Sequence, residues 1–304
     1  MKKCILVPTI LVLLLILNGC GYGTNAAPAG THTIPATDTS FNITPSLQSV
    51  RSTPPKGRPP TALSPQSKLN GAVVIFTFDD GPVSDYLLAY PILKKHDIRG
   101  TSYILPKYID CGMTWKLTWD EVKEMTEHGW AFGCHTYEHL RLSKASDDQI
   151  RKSMEAVNKS FINEGLSPPE IMAYPYGANN QRVINAIRPY RKQARLAYYR
   201  TDFADKNHMD PYRIPSISAD MQSTSQLKKV KKLVDKACKQ NAIIVFRVHT
   251  LYRDAPYDTV QKVANVPSGG APQTSSKLFE MLVQYCIDKG CSFMTMTELL
   301  GAYT

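Results

Sequence analysis

The alternation of short β-branched runs with longer helical patterns after residue 70 most constrains the fold of this chain. Strand-like runs such as "AVVIFTF", "TSYILP", "WAFGCH" and "AIIVFRVH" are separated by segments in which apolar residues recur at helical spacing. Repeated strand and helix units join parallel strands through right-handed crossovers. The sequence therefore predicts the α/β class, with residues 71–304 forming a single closed or nearly closed β/α barrel.

Local signals indicate where several helices begin. The first helix is predicted to begin at Ser84 and to bend at Pro91. Thr118 and Ser146 are the predicted N-caps of two further helices, because their side-chain oxygens can accept hydrogen bonds from the free N–H groups of the first turn.

Polar residues follow several predicted strands at their carboxyl ends. Asp79 and Asp80 follow the first strand, His135 follows the third, residues 175–177 follow the fourth, and His249 follows the "AIIVFRV" strand. In β/α barrels, chemistry collects where strands end and loops begin. We therefore expect these residues to meet at one mouth of the barrel.

The adjacent aspartates need an explanation, because neighbouring carboxylates repel each other unless a cation or hydrogen bonds intervene. His135 and His139 are four residues apart, so a helical turn would place both imidazoles on one face. A divalent cation bound by Asp80, His135 and His139 would leave positions for water and would allow both aspartates to stay ionised. A helix N-cap with a solvent-facing neighbour explains one aspartate only. The sequence therefore predicts a metal site with these three ligands.

With these residues placed, residues 71–304 resemble a NodB-type polysaccharide deacetylase of carbohydrate esterase family four. The motifs that carry the resemblance occur in order as "TFDDGP", "HTYEH", "AYPYG" and "RVH". The resemblance implies a distorted β/α barrel that removes acetyl groups from an N-acetylated extracellular polysaccharide, such as peptidoglycan, chitin-type oligomers or poly-N-acetylglucosamine. It also implies a divalent metal ion, for which we expect zinc, with cobalt, nickel or manganese as alternatives.

The resemblance also assigns roles, motif by motif. Asp79 becomes the general base and His249 the general acid, which suits a carboxylate and an imidazole near neutral pH. The backbone N–H of Tyr176 would help to hold the oxyanion. The implied metal ligands are Asp80, His135 and His139. The residues expected to contact the substrate are Pro175, Tyr176 and Tyr137.

Two positions depart from the family pattern. The third motif usually begins with an arginine that orients the base, but Ala173 stands there; the last usually has an apolar residue two before the histidine, but Arg247 stands there. Residues two apart on a strand share a face. Arg247 is therefore predicted to reach Asp79 and to take over the orienting, catalytic role, so that Ala173→Arg would partly restore a variant without it. The candidates for an acidic partner of His249, by proximity in sequence only, are Asp202, Asp205 and Asp210.

Three other function classes stay open. "HTYEH" also spells H-x-x-E-H, which on a helix would make Glu138 the general base of a metallopeptidase. An O-acetyl esterase acting on xylan-like chains is another alternative. A glycan-binding module could keep the fold without turnover.

The first 70 residues differ from the rest. Residues 1–20 look like a bacterial lipoprotein signal, whose Leu17-Asn18-Gly19-Cys20 box would leave lipid on Cys20; an uncleaved anchor is the alternative, because Asn18 is not the usual small residue. Residues 21–70 are rich in Thr, Ser, Pro, Ala and Gly, which predicts a flexible, disordered tether.

Partners and cysteines follow from composition. The formal net charge is +10, but no Lys/Arg run is dense enough to indicate nucleic acid. We expect a monomer held by its lipid at the extracytoplasmic face of the cell membrane, with a glycan as substrate. The five cysteines after residue 70 include no C-x-x-C repeat and are predicted to be mainly buried packing.

Overall fold

The computed structural model describes residues 71–197, 203–205, 209–253 and 272–303, which belong to one compact unit spanning 62–304. The predicted signal segment, Cys20 and the tether lie outside the described residues. Among the helices of the described residues, none has both the length and the apolar character needed to cross a membrane.

A curved parallel sheet forms the centre of the fold. The strands in the described residues are β1 (Val73–Asp79), β2 (Thr101–Ile104), β3 (Ala131–Cys134), β4 (Ile171–Ala173), β5 (Gln193–Arg195), β6 (Ile217–Ser218), β7 (Ile243–Val248), β8 (Thr250–Tyr252), β9 (Gln273–Ser275) and β10 (Ser292–Phe293). The order is β5-β4-β3-β2-β1-β7-β6, β10 pairs with the start of β1, and β8 pairs with β9 in a separate sheet. A parallel bridge from Arg195 to Ile214, just before β6, joins the two edges of the curved sheet. The predicted distorted β/α barrel is confirmed.

Helices surround this sheet, and the last of them packs against the interior cluster. They are α1 (Tyr90–Lys94), α2 (Pro106–Asp110), α3 (Trp119–Glu127), α4 (Asp147–Asn163), α5 (Gln181–Ile187), α6 (Thr224–Gln240), α7 (Ser276–Asp288) and α8 (Met296–Tyr303). Alternate residues of β1 belong to two different apolar clusters, as expected for a strand that is buried on both faces. Val74, Phe76 and Phe78 pack against the helices, whereas Val73 and Ile75 pack in the barrel interior.

The predicted caps are partly confirmed. Thr118 and Ser146 cap α3 and α4, each in a capping box with the residue three positions later. Ser84 makes no cap bond; its hydroxyl accepts instead from the N–H of Leu251 at 3.0 Å. The first helix begins as a π-helical turn, Asp85–Ala89, and Pro91 lies in the first turn of α1.

Candidate active site

The strand ends meet at one mouth, as the sequence predicts. Asp79 is the last residue of β1, His135 follows β3 directly, Pro175 lies two residues after β4, and His249 follows β7. Because the strands are parallel and in register, with Asp79 opposite Tyr103 of β2, their carboxyl ends lie at the same level.

Asp80, His135 and His139 form a candidate metal site at this mouth. The Nε2 atoms of His135 and His139 lie 3.5 and 3.4 Å from Oδ1 of Asp80, and the candidate ligand atoms are all within 4.8 Å of one another. Nδ1 of His135 donates to the carbonyl of Ala173 at 2.9 Å, which directs Nε2 towards Asp80. Oδ1 of Asp80 is buried and has no hydrogen-bond partner among the described residues. A buried carboxylate oxygen beside two imidazole nitrogens fits a divalent cation.

The electrostatics of the two histidines agree with this fit. Burial lowers the pKa of His135, despite the opposing charge of Asp79. Burial, together with His135, also lowers the pKa of His139. Both imidazoles are therefore held neutral near pH 7, which is the form that binds a metal ion.

The backbone around the site is strained, and the two histidines come together without a helix. Residues 136–138 form a turn and not a helical turn. Positive φ angles occur at Asp80 (72°), Thr136 (65°), His139 (65°) and Tyr176 (58°), a conformation that side chains other than glycine rarely adopt. Strain of this kind clusters where function demands a fixed geometry.

Asp79 is paired with an arginine other than the one predicted. The guanidinium of Arg195, at the end of β5, forms an ion pair with Oδ1 of Asp79, and both side chains are almost completely buried. Burial alone would raise the pKa of Asp79, but Arg195, followed by His135, His249 and Arg247, holds it well below its usual range. Arg247 lies buried on β7 and acts on Asp79 more weakly than Arg195. Arg195 therefore makes an ion pair with the proposed base that the sequence analysis did not predict, and the orienting role predicted for Arg247 stays a prediction.

His249 has an acidic partner that sequence reasoning missed. Both carboxylate oxygens of Asp220 lie 3.2 Å from Nδ1 of His249, and Oδ1 also accepts from the backbone N–H of His249 at 2.9 Å. Burial alone would lower the pKa of His249, but the hydrogen bond and charge of Asp220 raise it. Asp220 therefore keeps the imidazole protonated to higher pH.

The described carboxylate beside Nδ1 of His249 is thus Asp220, which was not among the three predicted candidates. Asp210 forms an ion pair with Arg213 at 2.6 Å instead, and Asp202 lies outside the described residues. For Asp205 the partnership stays a prediction.

A buried lysine lies beside the candidate metal site and was also missed. The ammonium of Lys116 donates to the backbone carbonyl of Asp80 at 2.6 Å and lies 4.4 Å from the ring centroid of Trp115. Lys116 is only 4% exposed, and its burial lowers its pKa to about 8. The backbone N–H of Leu117 bonds the carbonyl of Gly81 at 3.1 Å, so the same segment holds the turn that follows β1.

The predicted substrate residues lie around the mouth. The ring of Tyr176, 55% exposed, stands 4.3 Å from the ring of His139 between centroids, and the guanidinium of Arg141 lies 4.0 Å from the centroid of Tyr176. Tyr176 lies in a 3₁₀ turn, Pro175–Gly177, whose first residue is buried. The hydroxyl of Tyr137 donates to Asp110 at 3.3 Å. Contact of these residues with a substrate stays a prediction.

Glu138 does not take the place that a metallopeptidase base would need. Its exposed carboxylate pairs with Lys107 at 2.5 Å. The "HTYEH" segment is a turn, so the histidines and Glu138 do not share a helix as they would in that class. The geometry therefore favours Asp79 as the base.

The comparisons with known proteins agree on the family. A family model described as polysaccharide deacetylase matches residues 66–194. A putative polysaccharide deacetylase, YxkH, of Bacillus subtilis is 34% identical over 124 residues, covering 41% of this chain and 44% of that protein. A poly-beta-1,6-N-acetyl-D-glucosamine N-deacetylase of Staphylococcus aureus is 33% identical over 140 residues, covering 41% of this chain and 46% of that protein. The chain thus spans less than half the length of either relative.

A solved structure extends the similarity of fold beyond the matched segment. The Xyl-CE4 domain of a multidomain xylanase from the hindgut metagenome of Trinervitermes trinervoides aligns with a TM-score of 0.50 and 17% identity, covering 76% of this chain and 91% of that domain. At this low identity the alignment supports a similarity of fold and not of function. Together with the ordered motifs and the geometry of the mouth, these matches lead to one conclusion: residues 66–194 of this chain are similar to the polysaccharide deacetylase family.

Proposed function

We propose that this protein is a metal-dependent hydrolase that removes N-acetyl groups from an extracellular polysaccharide. The observation that carries the proposal is the presence of two groups at one mouth: a carboxylate, Asp79, held ionised by Arg195, and an imidazole, His249, whose pKa is raised by Asp220. Hydrolysis of an amide needs this combination, because water must lose a proton while the departing nitrogen gains one.

The reaction follows from these two groups. Asp79 takes a proton from water as the water oxygen attacks the acetyl carbonyl carbon, and a C–O bond forms. His249 gives its proton to the amide nitrogen as the C–N bond breaks, so that acetate and a free amine leave. The backbone N–H of Tyr176 is proposed to stabilise the negative charge that develops on the carbonyl oxygen.

Asp80, His135 and His139 would hold the divalent ion, for which we propose zinc, with cobalt, nickel or manganese as alternatives. When bound, such an ion polarises a carbonyl and lowers the pKa of water. The buried, unpartnered oxygen of Asp80 and the neutral histidines support this assignment.

The proposed substrate is a polymer that carries N-acetylglucosamine, either poly-N-acetylglucosamine or peptidoglycan, with chitin-type oligomers as a further candidate. The name of the staphylococcal relative supports the first of these. Pro175, Tyr137 and the exposed ring of Tyr176 are proposed to contact the sugar, since aromatic faces pack against sugar rings. The pairs that would perform the chemistry come from one chain, which fits the proposed monomer.

Mass spectrometry of acetylated oligosaccharides after incubation with the protein tests the function. We expect the loss of single acetyl units from N-acetylated glucosamine oligomers, abolished in Asp79→Asn and retained in Glu138→Gln. Loss of acetyl groups only from O-acetylated xylan oligomers would indicate an esterase, and turnover that depends on Glu138 would indicate a metallopeptidase. Equal binding of glycan with and without metal, without any product, would indicate a binding module.

The proposed location is the outer face of the cell membrane, with Cys20 carrying the lipid and residues 21–70 acting as the tether. The Leu17-to-Cys20 box supports this part of the proposal. Metabolic labelling with a radioactive fatty acid should mark the parent protein and leave Cys20→Ser unlabelled. Equal labelling of both proteins would contradict the proposed anchor.

A further inference from the structure

Three cysteines cluster on one side of the barrel, far from the mouth. Cys238 lies near the end of α6, Cys286 lies on α7, and Cys291 directly precedes β10. The sulfur atoms of Cys238 and Cys291 are 3.7 Å apart, and the backbone N–H of Cys291 bonds the carbonyl of Cys286 at 3.1 Å. The prediction that the five cysteines after residue 70 are mainly buried packing holds for Cys134 and Cys286, whereas Cys238 and Cys291 are partly exposed.

The position of the cluster separates it from the proposed chemistry. Ser292, next to Cys291, pairs with Val73 at the start of β1, whereas Asp79 ends the same strand. Six residues of strand correspond to about 20 Å. The catalytic mouth therefore gives no reason for these thiols to be adjacent.

The three thiols differ in reactivity. The hydrogen bond from the neighbouring Cys286 thiol lowers the pKa of Cys291 below its ordinary value, against the opposing effect of burial. Hydrogen bonding and burial raise the pKa of Cys286, and burial raises that of Cys238. Since the thiolate is the nucleophile in thiol chemistry, Cys291 is the residue of the cluster that attacks first.

We propose that Cys238 and Cys291 form a disulfide when the protein meets a small-molecule or protein disulfide as oxidant. The thiolate of Cys291 attacks one sulfur of the oxidant, a mixed disulfide forms, and one thiolate leaves. Cys238, after losing its proton, attacks the Cys291 sulfur and releases the second thiol. The cysteine pair gives up two electrons and two protons, and the oxidant disulfide becomes two thiols.

The geometry makes this pair the favoured one. The two sulfur atoms must approach from 3.7 Å to about 2.05 Å, which needs a small shift at the end of α6 and not a rearrangement of the core. Cys286 is completely buried and packs in the apolar cluster between sheet and helices, so its sulfur is less accessible to an oxidant. The new bond would tie α6 to the start of β10, two positions that are 53 residues apart in sequence.

Mass spectrometry of the oxidised full chain tests the proposal without reference to deacetylation. The reduced protein is incubated with oxidised glutathione, quenched in acid, unfolded, alkylated and digested. We expect a cross-linked pair of peptides containing Cys238 and Cys291, with Cys286 alkylated. The bond closes a long loop, so the midpoint of thermal unfolding should rise by roughly 5–10 °C and fall again after reduction.

Three serine variants complete the test. Cys286→Ser should keep the cross-link and the thermal shift, whereas Cys238→Ser and Cys291→Ser should lose both. A bond between Cys286 and Cys291, a glutathione adduct that persists on Cys291, or the absence of any cross-link would each overturn the proposal.

Discussion

Replacement of Arg195 by leucine isolates the contribution of the buried ion pair to Asp79. The side chains of Arg195 and Asp79 are 0% and 3% exposed, so the substitution leaves a carboxylate without its main counter-charge in the barrel interior. Removal of one partner from a buried pair destabilises a protein by about 3–5 kcal/mol. Arg195 also donates to the carbonyl of Leu196 at 2.9 Å and to the hydroxyl of Ser216 at 3.0 Å, which favours the upper part of that range. The thermal midpoint should fall by roughly 6–20 °C.

The same substitution should impair the proposed base. Burial raises the pKa of Asp79. Without Arg195, only the weaker charges of His135, His249 and Arg247 would oppose this increase. The acidic limb of the pH–rate profile should therefore move to higher pH, and kcat/KM at neutral pH should fall more than about tenfold. Thermal unfolding, metal content by elemental analysis and initial rates on an acetylated oligomer measure the three effects separately.

Arg247→Leu is the matched control, because it removes a second buried guanidinium from the same interior. It should lower the rate less than Arg195→Leu does, since Arg247 acts on Asp79 more weakly. In an Asp79→Asn background, Arg195→Leu should destabilise the protein less than it does in the parent, because no charge is left unpaired. If Arg195→Leu keeps the parental rate and stability while Arg247→Leu loses both, the assignment of the orienting role to Arg195 is wrong.

Three further variants test the remaining parts of the site. Asp80→Ala should reduce metal affinity by more than about tenfold. Asp79→Asn should keep the metal and lose about 100-fold or more in rate. Loss of metal in Asp79→Asn would contradict the assignment of Asp80 as ligand and Asp79 as base. Asp220→Asn removes the group that raises the pKa of His249, so the alkaline limb of the pH–rate profile should move to lower pH with metal content unchanged; an unmoved limb would exclude Asp220 as its partner. In the parent, the raised pKa of His249 stabilises the folded state. This stabilisation is complete below the pKa of an unfolded histidine, about 6.5, and is lost as pH rises through the pKa of His249 in the folded protein. Lys116→Met removes the hydrogen bond to the carbonyl of Asp80 and should weaken metal binding by roughly tenfold. Rates at saturating metal should stay near those of the parent. Tighter metal binding in this variant would show that the positive charge of Lys116 repels the ion more than its hydrogen bond helps the site.

The sequence was sufficient for the residues that follow long apolar strands. Asp79 and His249 could be predicted because β1 and β7 are continuous apolar runs, and the carboxyl ends of parallel strands must meet. His135 and His139 could be predicted because they lie close together in sequence. Their backbone could not, because His139 has a positive φ angle, a conformation that residues other than glycine rarely adopt and that the sequence does not signal here.

The partners of the catalytic groups were harder to find, because they depend on short elements and long sequence separations. Asp220 follows β6, a strand of two residues without an apolar run that could reveal it, and lies 29 residues from His249. Arg195 lies 116 residues from Asp79. One signal was available in the sequence. An arginine in a strand of a barrel lies either at the surface or buried against an anion, and Asp79 after β1 supplies such an anion for Arg195.

The register of β4 and β5 explains how the family's missing arginine is replaced. Ala173 stands where the family usually has arginine, and Arg195 is its direct neighbour across the parallel pair. Neighbours in register point to the same face of a sheet, so a guanidinium on either strand enters the barrel interior at the same level. The chain therefore keeps the position of the positive charge and moves its attachment by one strand. Ala173 is completely buried beside Arg195, so an arginine added at 173 would place a second guanidinium in space that is already filled. We therefore expect Ala173→Arg to disturb this interior and not to restore function in Arg247→Leu; a recovered rate in the double variant would contradict this expectation.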